Sequence, residues 1–237
     1  MKGWQEQLLS ALSATKTVEE IFAVITREAR ALGFDNCAYG VRLPLPLARP
    51  RTVMYNDYPI AWQERYLQEN YVDIDPIVKH GKISRIPLVW SDSLFSQQPD
   101  FWEEARSFGL IAGWSQASAD DTGVQGLLTL VRAGQPMSPK EVDLNGFRMA
   151  WLTQMGHLYM SKLIVARLVP ETQIQLSSRE KEVLRWTAEG KTSSEISDIL
   201  NLSVRTVNFH VTNAMAKLNC ANKTAATVKA AVLGFLC

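Results

Sequence analysis

The sequence predicts an α+β protein whose front part mixes helices and strands and whose back part is all helical. Three observations predict it. The 237-residue length suits two domains at roughly 100–200 residues each. Strand-like alternation and helix-like spacing interleave up to residue 174, whereas only short helical patterns follow. A stretch with one proline and no period, LVPETQIQ (168–175), separates the two and reads as a linker. The domains expected are therefore 1–167 and 176–237, with 168–175 between them.

The elements follow in order. TVEE at 17–20 is a capping box, in which the Thr17 hydroxyl takes an orphan N–H and Glu20 reaches back. Val18, Ile21, Phe22, Ile25, Ala29 and Leu32 then recur at helical spacing, and Gly33 suits a left-handed cap. Residues 36–44 and 51–56 read as strands flanking LPLPLARP. Residues 110–118 and 124–132 read as another pair around the turn-prone ADDTG. SPKE at 138–141 joins a cap, a proline at the first helical position and a reaching Glu. A long helical pattern runs on to about Arg167, with Val142, Met149, Leu152, Met155 and Leu163 among its apolar positions. Behind the linker, SSRE (177–180) is a capping box and Gly190 ends its helix. TSSE (192–195) is another box, and NLS (201–203) a tight break. Ser203 starts a helix to about Leu218, and a last helix fits 222–235.

Composition bounds the class. Apolar residues make up 46% and charged residues 21%, which suits a globular chain and excludes a disordered, collagen-like or rod-like one. No apolar run approaches the ~18 residues of a membrane span, and the N-terminus lacks the apolar core of a signal peptide. Cys37, Cys220 and Cys237 are too few and too scattered for a disulfide framework, so reduced thiols and a cytoplasmic location are expected. The net charge of +1 hides an asymmetry. Residues 175–237 hold eight basic and five acidic groups, leaving 17 and 19 of the chain's 25 and 24 to the front part. A basic end on a slightly acidic body points to a polyanion partner.

TSSEISDIL, NLS and VRTVNFHVTNAMAKL are two helices joined by a three-residue break, the arithmetic of helix-turn-helix. Val207, Val211, Ala214, Met215 and Leu218 form the inward stripe of the second helix. Arg205, Asn208, Phe209, Thr212 and Asn213 are left outward, and such side chains can read base edges. Lys191, Thr192 and Ser193 sit at the first helix's N-terminus, where backbone N–H groups favour a phosphate. Lys217 and Lys223 are further phosphate candidates. A helical bundle with a solvated polar face is the plainer alternative. His210 has no His or Cys at ligand spacing, so a structural or phosphate-adjacent role is expected of it rather than metal binding.

In the front part the informative residues are Tyr58, Trp62, Tyr66, Asp75 and Trp90. Trp62 and Tyr66 stand four apart and share a helix face, and Pro59 favours the start of that helix just after Tyr58. Buried Tyr and Trp need partners for their polar tips. Asp75 lies among Val72, Ile74, Pro76, Ile77 and Val78. Two readings stay open here: a polar cluster facing a ligand, or core aromatics with Asp75 capping a turn before Pro76.

Taken together, SREKEVLRWTAEGKTSSEIS, TVNFH and KLN closely resemble the carboxy-terminal domain of LuxR-type transcription factors, over nearly all of 175–237. Glu180, Leu184 and Gly190 belong to that motif. Trp62 with Tyr66, Asp75 with Pro76, Trp90, and FWEEARSFGLIAGWS with its Gly109 and Gly113 resemble the same family's ligand-binding domain, which senses N-acyl-homoserine lactones. Within the family the chain looks most similar to the orphan, QscR-like group, which lacks a partner synthase.

The resemblance implies an N-terminal α/β/α sandwich that binds the lactone. Trp62 N–H would donate to the lactone carbonyl and Asp75 accept from the amide N–H. Tyr58 and Thr129 hydroxyls would donate to the amide carbonyl, and Tyr66 and Trp90 would wall the pocket. Ala38, Val78, Leu110 and Leu128 would line the acyl chain. Members often carry Ser at the place of Thr129, and some a hydroxyl residue at Ala38 or Ile77, so this pocket is tilted apolar. Without ligand, Asp75, Trp62 and Tyr58 would be left buried without partners, at ~1–3 kcal/mol per group. Asn208, Phe209 and Thr212 would face the major groove, with Arg205 at bases or backbone. The implied partners are the lactone, an inverted-repeat DNA duplex, a second copy of the chain and RNA polymerase, with no cofactor and no membrane. An enzyme acting on lactones is disfavoured by three dispersed His and no GxSxG motif, and a phosphorylated receiver by the lack of repeated βα units. A regulator on the same plan that answers a non-lactone or exogenous apolar signal is the alternative.

Overall fold

In the computed structural model, which describes residues 3–120 and 123–236, the strand patterns pair into one antiparallel sheet of order β2-β1-β5-β4-β3. Its strands are β1 (Asn36–Arg42), β2 (Thr52–Asn56), β3 (Leu88–Val89), β4 (Ala112–Ala119) and β5 (Gln125–Arg132). Register places Ser115, Thr129, Ala38 and Asn56 on one rung across four strands. Side chains alternate between faces along a strand. Cys37, Tyr39, Leu128 and Leu130 therefore point one way, and Ala38 and Thr129 the other.

Helices cover both faces. On the first lie α1 (Trp4–Ser13), α2 (Val18–Ala31) and α6 (Pro139–Leu168). The capping box at Thr17 and Glu20 is formed, and Gly33 adopts a φ of +87°. Thr26 of α2 meets the Cys37 thiol at 3.4 Å, and His157 of α6 lies 2.8 Å from the Tyr39 hydroxyl. His157 Nε2 faces the Val124 carbonyl at 3.0 Å, and burial holds this imidazole below its usual pKa. The second face carries α3 (Ile60–Gln68), a 3-10 turn (Tyr71–Asp73), α4 (Pro76–Ile83) and α5 (Pro99–Ser107). The α/β/α sandwich expected from the resemblance is thus observed. Four of these elements went unread in the sequence: α1, α4, α5 and the two-residue β3. Residues 121 and 122 of the expected ADDTG turn lie outside the described residues.

The second unit begins at Val165, inside the last turn of α6. The expected linker is not free chain: Pro170–Gln173 form a 3-10 turn, and Glu171 pairs with Lys229 at 3.0 Å. Four helices follow: α7 (Ser178–Ala188), α8 (Ser193–Leu200), α9 (Val204–Lys217) and α10 (Lys223–Val232). Both expected capping boxes form, and Asn201 closes α8 in the left-handed conformation, φ +53°. Val183, Ile196, Val207 and Val211 make the core of this unit. Among the described residues, no helix is long and apolar enough to cross a membrane.

Candidate ligand cavity and nucleic-acid interface

A cavity of about 240 Å³ lies between the sheet and the α3–α5 layer. Its location follows from composition. The sheet offers small residues here, Ala38 and Gly40, so the aromatic layer cannot close onto it completely. That layer is rigid: Trp62 is 2% exposed and meets Tyr66, Tyr71, Phe101 and Phe108 at centroid distances of 5.5–5.9 Å. Phe95 and Trp102 stack at 4.0 Å. Arg65 and Tyr71 both bond Glu104, which ties α3 and the 3-10 turn to α5.

Nine residues named from the resemblance line this cavity: Ala38, Tyr58, Trp62, Tyr66, Asp75, Val78, Trp90, Leu110 and Thr129. Leu128 does not. It is paired with Tyr39 on the opposite sheet face, and its neighbour Leu127 lines the cavity instead. Period-two alternation could have found this, because Thr129 and Leu128 cannot share a face. Phe101, Trp102 and Ala105 of α5 were also missed, since their helix was not read in the sequence.

Asp75 unites the two readings left open by the sequence. Its Oδ1 caps α4 by accepting from the Ile77 N–H at 2.8 Å, and its Oδ2 accepts from the Tyr66 hydroxyl at 2.9 Å. The expectation that Asp75 lacks partners is therefore corrected: it has two, and a carboxylate has lone pairs for more. Burial still pushes its carboxyl up to about 6, against the opposing pull of the Ile77 and Tyr66 bonds. Burial also raises the Tyr58 and Tyr66 hydroxyls, which stay protonated donors. Among the described residues, the Tyr58 hydroxyl and the Trp62 indole N–H donate to no protein acceptor. Thr129 accepts from Ser115 at 3.2 Å and keeps its own hydrogen. The cavity thus offers three unused donors and one carboxylate within an apolar shell, a set that matches a ligand with several carbonyl oxygens and one N–H.

In the second unit, α9 presents Arg205, Asn208, Phe209 and Thr212 outward, with Phe209 59% exposed, and leaves Asn213 half-buried. Such a face combines hydrogen-bonding side chains with an apolar ring, the kinds of group that contact base edges and thymine methyls. The Ser193 hydroxyl donates to Asn208 Oδ1 at 2.8 Å, so Asn208 offers its NH₂ outward. The amide oxygen keeps a second lone pair, so this bond orients Asn208 and still leaves it able to read adenine. The α8 N-terminus is partly taken as well: Thr192 and Glu195 satisfy each other there, and the Glu195 carboxylate brings negative charge beside Lys191. Lys217, expected at a phosphate, is engaged within its own unit. Its Nζ lies 2.8 Å from Glu180 Oε2 and 3.2 Å from the Gln175 carbonyl. Glu180 is 4% exposed, and although burial raises its pKa, Lys217 and Ser177 together hold it below the usual carboxylate range. Lys217→Met should therefore destabilise this unit by ~1–3 kcal/mol, read from its thermal transition, because a buried carboxylate loses its cation. Adding Glu180→Gln should recover part of that loss. An unchanged melt with a shallower salt dependence of DNA binding would instead mark Lys217 as a phosphate contact.

A sheet-backed cavity with convergent polar groups, joined to an outward-facing recognition helix, defines a helix-turn-helix transcriptional regulator with a small-molecule-binding domain. Comparison with known proteins gives the family. Residues 17–160 match the autoinducer binding domain, and 174–230 match the bacterial regulatory proteins of the luxR family. The chain is 48% identical to the transcriptional activator AnoR of Acinetobacter nosocomialis, covering all of both chains. It is 38% identical to the quorum-sensing regulator RhlR of Pseudomonas aeruginosa, over 98% of this chain and 96% of the other. The structure of Escherichia coli SdiA in complex with octanoyl-rac-glycerol superposes with a TM-score of 0.84 at 35% identity, over all of this chain and 98% of that one. The chain belongs to the LuxR family of quorum-sensing transcriptional regulators, a family of regulators rather than enzymes.

Proposed function

We propose that this regulator binds an N-acyl-homoserine lactone and, as a ligand-stabilised homodimer, binds a palindromic promoter site to control transcription. The observation that carries the reading is the polar count of the cavity. Trp62, Tyr58 and Thr129 supply three donors for the lactone and amide carbonyls, and Asp75 supplies the acceptor for the amide N–H. Ala38, Val78, Leu110 and Leu127 receive the acyl chain. Filling the cavity satisfies the donors and binds the folded state alone, which stabilises it by ~4 kcal/mol at a thousandfold excess of ligand over Kd.

Two copies then present two α9 helices to half-sites about one turn, ~34 Å, apart. Arg205, Asn208, Phe209 and Thr212 meet the major groove, Lys191, Ser193 and Lys223 the phosphates, and RNA polymerase is the further partner. The chain works in the cytoplasm, where that DNA is. Thermal melting with N-butanoyl to N-dodecanoyl homoserine lactones tests the ligand. A rise of several degrees with one chain length supports it, and no shift with any refutes it. Duplexes selected from a random pool by the liganded protein should carry an inverted repeat. Phe209→Ala should cut binding to them ~5–150-fold, a loss of ~1–3 kcal/mol, with the melt unchanged because the ring is exposed.

A monoacylglycerol is the second reading, favoured by the octanoyl-rac-glycerol bound in SdiA. It has one ester carbonyl for the same donors and two free hydroxyls, either of which can donate to Asp75 as an amide N–H would, so melting with monooctanoylglycerol beside the lactones separates the two ligands by the size of the shift.

A further inference from the structure

Trp90, Ser115 and Thr129 form a one-way hydrogen-bonded chain along the cavity wall. The Trp90 indole N–H donates to Ser115 Oγ at 3.0 Å, and the Ser115 hydroxyl donates to Thr129 Oγ1 at 3.2 Å. An indole nitrogen can only donate, so the first link has one possible direction. Ser115 accepts there and passes its single hydrogen on. Thr129 Oγ1 therefore receives, and its own hydrogen is left to donate elsewhere.

The backbone fixes every member. Ser115 and Thr129 are directly opposed across β4 and β5, where side chains on one face lie about 4.5–5.5 Å apart at Cβ. Trp90 follows β3, and its backbone N–H bonds the Gly113 carbonyl at 2.9 Å. Its ring lies so close over Gly113 that a Cβ there would come within 2.6 Å of it. Phe95 and Trp102 hold the ring edge-on at 5.7 and 6.0 Å. Trp90 and Thr129 line the cavity, whereas Ser115 is 1% exposed and does not.

We propose that Ser115 is a positioning residue for ligand recognition: fed by Trp90, it polarises the Thr129 hydroxyl so that Thr129 meets the ligand only as a donor. An oxygen acceptor opposite Thr129 becomes a requirement of binding, and ligands that present a hydroxyl or N–H there are rejected. Without Ser115 the Thr129 hydroxyl rotates freely and the requirement relaxes. This rests on the reading of the cavity as a lactone site.

The test is a double-mutant cycle on the full chain, by titration with the acyl-homoserine lactone that gives the largest melting shift. Thr129→Val should weaken binding about tenfold, the worth of one buried hydrogen bond. Ser115→Ala should weaken it several-fold, and the double variant should bind like Thr129→Val alone, because Ser115 acts only through that hydroxyl. Thr129→Ser, which keeps the hydroxyl, should retain near-native affinity. If Ser115→Ala does not fold, Trp90→Phe removes the obligate donor, and its loss should likewise shrink in the Thr129→Val background. Additive losses, or native affinity in Ser115→Ala, overturn the proposal. Native affinity in Thr129→Val also overturns it while leaving the lactone reading standing, because that reading is tested separately at Asp75.

Discussion

Asp75→Asn is expected to abolish most of the melting shift produced by acyl-homoserine lactones while leaving the unliganded protein folded. Asn caps helices as well as Asp does, so its amide oxygen can keep the Ile77 N–H and α4 stays in place. The NH₂ then takes the position of Oδ2 and opposes the ligand's amide N–H, donor against donor. A hydrogen bond to a charged group is worth ~1.5–3 kcal/mol, so affinity should fall ~10–150-fold. Titration against the same lactone in both proteins checks this, and a native affinity would sink the assignment of Asp75.

The same residue gives a pH signature. Its carboxyl is raised to about 6 from the ordinary 3.8. A raised folded-state value means that its contribution is fully present below the unfolded value and is lost as pH rises through about 6, at a cost of ~3 kcal/mol. Unliganded wild-type protein should lose that stability across this window and Asp75→Asn should not. Lactone affinity should move the opposite way, rising with pH to about 6 and then levelling, because the amide N–H needs the ionised carboxylate.

Gly113→Ala should be strongly destabilising, because Gly113 lies directly against the Trp90 ring of the cavity wall. Its methyl would sit 2.6 and 2.7 Å from two Trp90 ring carbons and 2.9 Å from the Leu130 carbonyl oxygen. The indole cannot retreat, because Phe95 and Trp102 stand around it and Ser115 holds its N–H. Overpacking of this kind costs ~1–3 kcal/mol, or ~2–4 °C of Tm per kcal/mol in a domain of this size. If the ring moves toward the cavity, lactone affinity falls as well. Gly134→Ala is the control, since nothing lies within 4 Å of its added methyl and its backbone is not left-handed. Equal melts for the two variants would show that the wall yields more easily than its geometry implies.

Particular residues show how much was legible beforehand. The capping boxes at Thr17, Ser177 and Thr192 were readable because each is a local hydrogen-bonded motif written in four residues. The same holds for the inward stripe Val207, Val211, Ala214 and Leu218, which follows from helical period alone. Leu128 was misplaced because the face of a strand depends on register with its neighbours. α5 lacks a side-chain cap at Gln98, so only Pro99 at its first position marks its start. Lys217 looked like a surface cation until α7 brought the buried Glu180 to it from 37 residues away.

By itself, then, the sequence determined the two domains, most of the helices and strands, the turn between α8 and α9, and the residue types that fill the sensor and reading surfaces. Local hydrogen bonding and apolar period are properties of neighbouring residues, and neighbours are what a sequence records. Only the tertiary structure decided which of those residues share a cavity, that Asp75 caps and faces it at once, and that Ser115 sends its hydrogen to Thr129. Those facts depend on strand register and on pairs far apart in the chain, which packing alone brings together.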